Sequence, residues 1–469
     1  MQMKRNSLFW IVTAAVFLCL LIPTLVQEGM FLDGVTYSAI SRNMANGYGS
    51  FWNPHYTNTL YSNFHEHPPL VFIIQSCFFK VFGDAFYTER IFSLFNAILT
   101  TIGIILCWRL FTDKTELKEY DWLPVLLWLS VPMVSWTYKN NLLENTMGVF
   151  TIFAVFFILK SLIENRIVFL LPGSVLIVLA FLSKGITGIF PIVVPILFAF
   201  IYKPNRYRIL YAVCLILSTV IVSYLFVLLF PELTNNITSY LHQQLLPALN
   251  NQREITTSNR FSIILNLVLE LSFPIILVVY FAVRQWQKDG KVVFLMDKRS
   301  LIFLLIALCA SMPLMISLKQ RRFYLIPSIP FYILSVSFYI APFLKEKLDV
   351  LSISTLKWIK RVSFTALSIG LILSVSQFGK FSRDGDKLTD IYSIARTIPE
   401  GTVISTTKEL WGDWSLEAYM SRIGNLSLDC DNKHEYLLIE NNTVEPGVPG
   451  EYEKMNLKLT KYVLLKRKP

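Results

Sequence analysis

Apolar runs of roughly 17 to 23 residues, each long enough to cross the hydrocarbon core of a bilayer as a helix, recur along most of the chain. They fall at about residues 8–26, 91–111, 122–138, 146–162, 167–183, 186–202, 209–230, 263–283, 300–317, 323–342 and 362–378. Lipid offers no hydrogen bonds, so a spanning backbone must pair within itself, as a helix or a closed barrel. Long runs select helices, because barrel strands are short and alternate. The pattern therefore predicts an all-α polytopic membrane protein of about eleven transmembrane helices. Val71 to Phe82 is too short to cross; with Pro68-Pro69 before it and Gly83-Asp84 after, it predicts a helix lying at the membrane surface. Past residue 378 the pattern changes to short β-branched runs, Thr402–Thr406, Tyr436–Ile439 and Tyr462–Leu465, separated by turn residues. The expected organisation is a transmembrane domain over 1–378, with a first outer loop at 27–90, and a small C-terminal α/β domain over 379–469, outside the cytoplasm.

Composition agrees with lipid as the main solvent: of 469 residues, 54% are hydrophobic and only 16% charged. The first run follows Lys4 and Arg5, as in a signal peptide, but Gln27-Glu28-Gly29 makes no small-residue cleavage site, so an uncleaved span is expected. None of the six cysteines forms a Cys-x-x-Cys pair, which argues against a disulfide framework or a thiolate metal site. The net charge of +11 reads as cytoplasmic loops of a polytopic protein and not as nucleic-acid binding. With a cytoplasmic N-terminus, Lys4, Arg5, Arg109, Lys114, Lys118, Lys160, Arg166, Lys203, Arg206, Arg208 and the basic stretches 284–299 and 345–361 all fall inside. Lys319, Arg321 and Arg322 break the rule together on the outer side, which calls for an anionic partner. The long loops, 27–90, 231–262 and the tail, are also outside, so the chemistry is expected there.

Four of the five histidines, His55, His65, His67 and His242, lie in those outer loops, with Asp33 and Glu66. Asp33 opens a predicted short helix after the first span; it is either that helix's N-cap or a base aimed at the membrane surface. In His65-Glu66-His67-Pro68-Pro69 the prolines restrict the residues before them, which holds the polar side chains for a site or simply starts a helix. Adjacent residues rarely all bind one metal, so a divalent ion near Glu66 would need another ligand, for which His242 is the candidate. Lys184, at the outer end of its span, either snorkels or meets an anion. With Lys319, Arg321 and Arg322 it would suit a phosphate at the membrane surface, or lipid headgroups. Glu144 reads as a solvated carboxylate at the interface.

Taken in order, these motifs resemble the GT-C membrane glycosyltransferases, specifically the bacterial aminoarabinose transferase and protein O-mannosyltransferase group. The matching residues are Asp33, Tyr37 and Arg42; Glu66-His67-Pro68-Pro69-Leu70; Gly83 with Glu89-Arg90; Ser183-Lys184-Gly185; and Lys319 to Pro327 with Tyr324. The resemblance implies a GT-C-like fold and transfer of a sugar from a polyprenyl-phosphate donor to a lipid, glycan or protein acceptor by inverting displacement. It places the protein in the bacterial inner membrane, with its active site on the periplasmic side. Asp33 and Glu66 match catalytic carboxylates, and Tyr37, Arg42, His67, Lys184, Lys319, Arg321, Arg322 and Tyr324 match substrate-binding positions. Glu66 and His242 match the ligands of a divalent ion (Zn, Mg or Mn), while no nucleotide cofactor and no nucleic-acid partner is expected. Gly34 stands where many relatives carry a second acidic residue. The rival reading is a membrane transporter or lipid flippase, but the run centres are nearly free of charge and no repeat is visible.

Overall fold

The computed structural model describes residues 5–202, 206–250, 252, 254–289, 297–441 and 450–469. Lys4, Lys203 and residues 290–296 of the basic stretch lie outside the described residues. The chain is a multi-pass membrane protein. Among the described residues, eight helices are long and apolar enough to cross a membrane, and a bent pair, Ser262–Glu270 with Ser272–Lys288, makes a ninth span if counted as one. Its 69° bend has a local cause: Pro274 has no N–H to offer the Glu270 carbonyl.

Two more of the eleven expected spans are interrupted. The 122–138 run is two short helices, Trp122–Leu129 and Pro132–Lys139, parted where Pro132 cannot donate to the preceding turn. The 186–202 run is a tight 3₁₀ stretch, Ile186–Val193, with Pro191 inside it, followed by Val194–Ile201. The expected surface helix is present as Leu70–Phe82.

The helix Ile329–Asp349 runs through the middle of the membrane part, with Ile329, Phe331, Ile333 and Leu334 fully buried. Phe338 stacks on Trp108 at 4.4 Å between ring centroids and also on Phe303. By contrast, Arg206–Leu229 and Ile353–Gln377 expose long apolar faces such as Val220, Leu229, Ile372 and Val375. In a bilayer those faces meet acyl chains and cost nothing.

The C-terminal domain is a five-stranded sheet: β1 (Val403–Thr406), β2 (Ser427–Asp429), β3 (Tyr436–Glu440), β4 (Tyr452–Lys454) and β5 (Tyr462–Arg467), in the order β2-β1-β3-β5-β4. β1 is parallel to β2 and β3, whereas β5 pairs antiparallel with β3 and β4. The domain is fastened to the first loop. Its helix Trp414–Gly424 packs on the helix Leu32–Ala45, and the Tyr419 hydroxyl bonds the backbone of Met30 at 3.0 Å. Arg422 is buried and reaches Asp84 at 2.5 Å, Glu89 at 3.0 Å and the Ala85 carbonyl at 3.1 Å. Burial alone would raise the Asp84 carboxyl, yet Arg422 and Arg42 hold it below its ordinary value.

Arg422→Ala would leave two carboxylates at this seam without their shared cation. Removing one partner of a buried pair costs roughly 3–5 kcal/mol, so the thermal midpoint of the detergent-solubilised protein should fall by several degrees. An unchanged midpoint would show that the seam does not hold the domain.

Candidate functional site

The helix Leu32–Ala45 begins one residue before Asp33, and Phe31 is its N-cap. Asp33 is therefore not the cap. It stands in the first turn, where the helix dipole favours a negative charge. The helix is seated against the loop after Lys139: the Phe31 N–H donates to Asn140 Oδ1 at 2.7 Å, and Asn141 Nδ2 donates to the Ser38 hydroxyl at 2.9 Å. The contact is so close that a Cβ at Gly34 would lie 1.9 Å from the Asn140 carbonyl oxygen. A second acidic residue at position 34 cannot fit without moving that backbone.

Asp33 opens onto a cavity of about 580 Å3. Of the residues expected from the sequence, it gathers Asp33, Tyr37, Glu66, His67, Lys184, Lys319, Arg321 and Tyr324. These come from the first loop, the end of the span Ile167–Lys184 and the segment before Ile329. Burial raises the Asp33 carboxyl above its ordinary value; Lys184, Lys319 and Arg321 pull it back, and Glu66 adds to the rise. Glu66 accepts a hydrogen bond from the Tyr61 hydroxyl at 3.3 Å. Tyr37 is buried, with its ring edge-on to His67 at 5.8 Å.

Lys184 is paired. Its ammonium meets Glu144, which is buried and not the solvated carboxylate expected. The same ammonium lies over the rings of Tyr324 and Phe323, at 5.1 and 5.7 Å from their centroids. Gly185 allows this end of the span to turn: it has φ +87°, and a Cβ there would lie 2.0 Å from the Tyr240 hydroxyl. Lys319 and Arg321 share the exposed carboxylate of Glu254, at 3.9 and 3.2 Å.

Three expected residues are not in the cavity lining. Arg42, in the last turn of the helix, is buried and bonded to Asp84 at 2.7 Å and to Glu400 of the C-terminal domain at 2.6 Å, which ties the helix to that domain. Arg322 turns the other way from Arg321 and pairs with Glu270, a buried carboxylate that also accepts from the Met133 N–H. His242 is exposed on a π-helical turn, Leu241–Leu245. The helix before it is nonetheless tied to the first loop, because Asn236 bonds the Trp52 carbonyl and His65 Nδ1, both at 3.0 Å. Among the described residues, no three His, Cys, Asp or Glu side chains form a group that could hold a metal ion.

The sequence reading missed Glu254, Tyr56, Tyr61, Phe64 and Trp414, all of which line the cavity. Only Glu254 left a signal, as a carboxylate in the outer loop ahead of the unexplained cations. Trp414 left none, because its place depends on how the C-terminal domain docks.

With the geometry established, two comparisons bear on it. A family model described as dolichyl-phosphate-mannose-protein mannosyltransferase matches residues 66–237, less than half of the chain but including Glu66, Glu144 and Lys184. The structure of ArnT from Cupriavidus metallidurans bound to undecaprenyl phosphate superposes with a TM-score of 0.69 at 14% identity, covering 99% of this chain and 98% of that one. The chain has the ArnT fold. The apo form of the same protein gives a TM-score of 0.65 at 14% identity, covering 98% of this chain and 97% of that one. No curated protein sequence matches the chain. The GT-C resemblance drawn from the loop motifs, and the fold expected from it, are borne out.

Lys184→Met would leave Glu144 buried and unpaired, at a cost of roughly 3–5 kcal/mol. Thermal unfolding should show that loss, and the double variant Lys184→Met, Glu144→Gln should recover much of it. Equal midpoints for the single variant and the parent would mean that the pair does not form.

Proposed function

We propose that the protein is a membrane glycosyltransferase that moves a sugar from a polyprenyl phosphate to an acceptor on the extracytoplasmic side, by one inverting displacement. The observation that carries this reading is the shared cavity: a carboxylate with a raised pKa faces three cations at the ends of apolar helices. The ligand in the ArnT structure, undecaprenyl phosphate, is a donor carrier of the chemistry these cations suit.

The donor's phosphate would sit against Lys319 and Arg321, with its lipid chain along the apolar helices. Glu254 is the anion that it displaces. Exposed ion pairs of this kind hold together by only about 0–1 kcal/mol, so a phosphate can take Glu254's place at little cost. Lys184 is neutralised in part by Glu144 and adds its charge from a fixed position. The acceptor's hydroxyl or amine attacks the anomeric carbon, and the bond from that carbon to the phosphate oxygen breaks. The electron pair leaves with the polyprenyl phosphate, whose charge the cations stabilise, and the acceptor's proton passes to the Asp33 carboxylate. Gly34 leaves no room for an acid beside Asp33, and Glu66, bonded to Tyr61, is the other carboxylate of the cavity.

A labelled polyprenyl-phosphate sugar separates this reading from a flippase, which would move the lipid without releasing the sugar. Asp33→Asn should lower turnover about a hundredfold or more with donor binding retained; parental turnover would remove Asp33 from the chemistry. A base must be deprotonated to act, and burial raises the Asp33 pKa. The acidic limb of kcat/KM should therefore lie above that of an ordinary carboxylate. Lys319→Ala removes a charge that lowers this pKa, so the limb should move to still higher pH.

A divalent ion is a separate proposal from the resemblance, with Glu66 and His242 as its holders. Two protein ligands fall short of the three that a catalytic zinc site ordinarily has, and no step above runs through a metal. If the pair does hold an ion, Glu66→Gln and His242→Ala should each lower bound metal and transfer together. Full transfer by protein shown to be metal-free would exclude the ion from the reaction.

A further inference from the structure

Trp414 and Tyr61 are both large, exposed aromatic residues, and both line the cavity, which places them at its rim. They come from distant parts of the chain, Tyr61 from the first loop and Trp414 from the C-terminal domain. Neither is there by default. Tyr61 is held at φ +52°, a left-handed conformation that a bulky side chain adopts only under constraint, and its hydroxyl is bonded to Glu66. Trp414 opens a helix whose start is fixed twice. Asp413 caps it by accepting from the N–H groups of Ser415 and Leu416 at 3.1 and 3.2 Å, and Lys387 holds that carboxylate at 2.5 Å. The far end of the helix is pinned by Arg422.

We propose that Trp414 and Tyr61 form the subsite for a saccharide ring of the acceptor, so that the acceptor is a glycan or glycolipid and not a peptide. This rests on the reading of the cavity as a transfer site. A pyranose presents flat faces of C–H groups and an equator of hydroxyls. Aromatic faces cover the former, and carboxylates such as Glu66 accept from the latter. A serine or threonine side chain has no flat face to cover. The ring belongs to the acceptor because the donor is anchored elsewhere. Lys319 and Arg321 lie in the membrane part, just before the span-starting helix Ile329–Asp349, and hold the phosphate next to the donor sugar. Trp414 belongs to the C-terminal domain and not to the segment that carries those two cations. A rim built on two anchored elements also needs little ordering when the ring binds.

The test uses the full-length protein, a labelled undecaprenyl-phosphate sugar, and two acceptor probes, a disaccharide on a dodecyl anchor and a Ser/Thr-rich peptide. Trp414→Ala should raise the KM for the disaccharide roughly three- to tenfold, the size of one aromatic contact, with the change in acceptor KM exceeding that in donor KM. Trp414→Phe should restore most of the loss. Thermal midpoints of the variants confirm that they fold. Parental acceptor KM in Trp414→Ala, a change confined to the donor KM, or transfer to the peptide in preference to the disaccharide would each overturn the proposal. Failure of the parent protein to release sugar from any polyprenyl-phosphate donor would instead overturn the transferase reading on which it rests.

Discussion

The close seating of the helix Leu32–Ala45 on the Asn140-Asn141 turn is the contact on which the rest of the site depends. Gly34 lets the two backbones approach to a distance that no side chain would allow. Asn141, in a left-handed conformation that asparagine tolerates, then bonds Ser38 from below. With the helix fixed there, the first-turn carboxylate Asp33 faces the cavity, and the same helix receives the C-terminal helix Trp414–Gly424. One glycine thus seats the helix that carries Asp33 and meets the second domain.

Charge is distributed in two layers around that helix. Beside it, the buried Arg42 and Arg422 share the exposed Asp84, and Arg422 also pairs with the buried Glu89, in a network that joins the first loop to the C-terminal domain. In the cavity, by contrast, Lys319 and Arg321 share one exposed carboxylate that can leave. Buried pairs are costly to break and exposed pairs are cheap. Arg321 and Arg322 are neighbours in sequence yet take different partners, Arg321 the exposed Glu254 and Arg322 the buried Glu270.

The apolar runs made the membrane class and most of the spans legible, since the requirement that a backbone pair within lipid leaves a long unbroken signature in the sequence. The interrupted runs owe their breaks to proline: Pro132, Pro191 and Pro274 leave the hydrophobic pattern intact while removing hydrogen bonds that continue a helix. The site was legible where loop polarity stood out against apolar surroundings, as at Asp33, Glu66, Lys184 and Lys319. Glu144 was read as solvated because nothing local shows that Lys184, forty residues later, closes over it.

By itself, then, the sequence determined the lipid environment, the gathering of polar chemistry into the long loops, and the candidate base and cations. These follow from composition and spacing along one chain. The tertiary structure alone decided which cation faces which anion, that Arg42 and Arg322 stand outside the cavity lining, and that Glu254 and Trp414 border the cavity. Those choices depend on docking between segments up to several hundred residues apart. The energies of such contacts lie in the approach of backbones and the exclusion of water, and neither is written in any local pattern of residues.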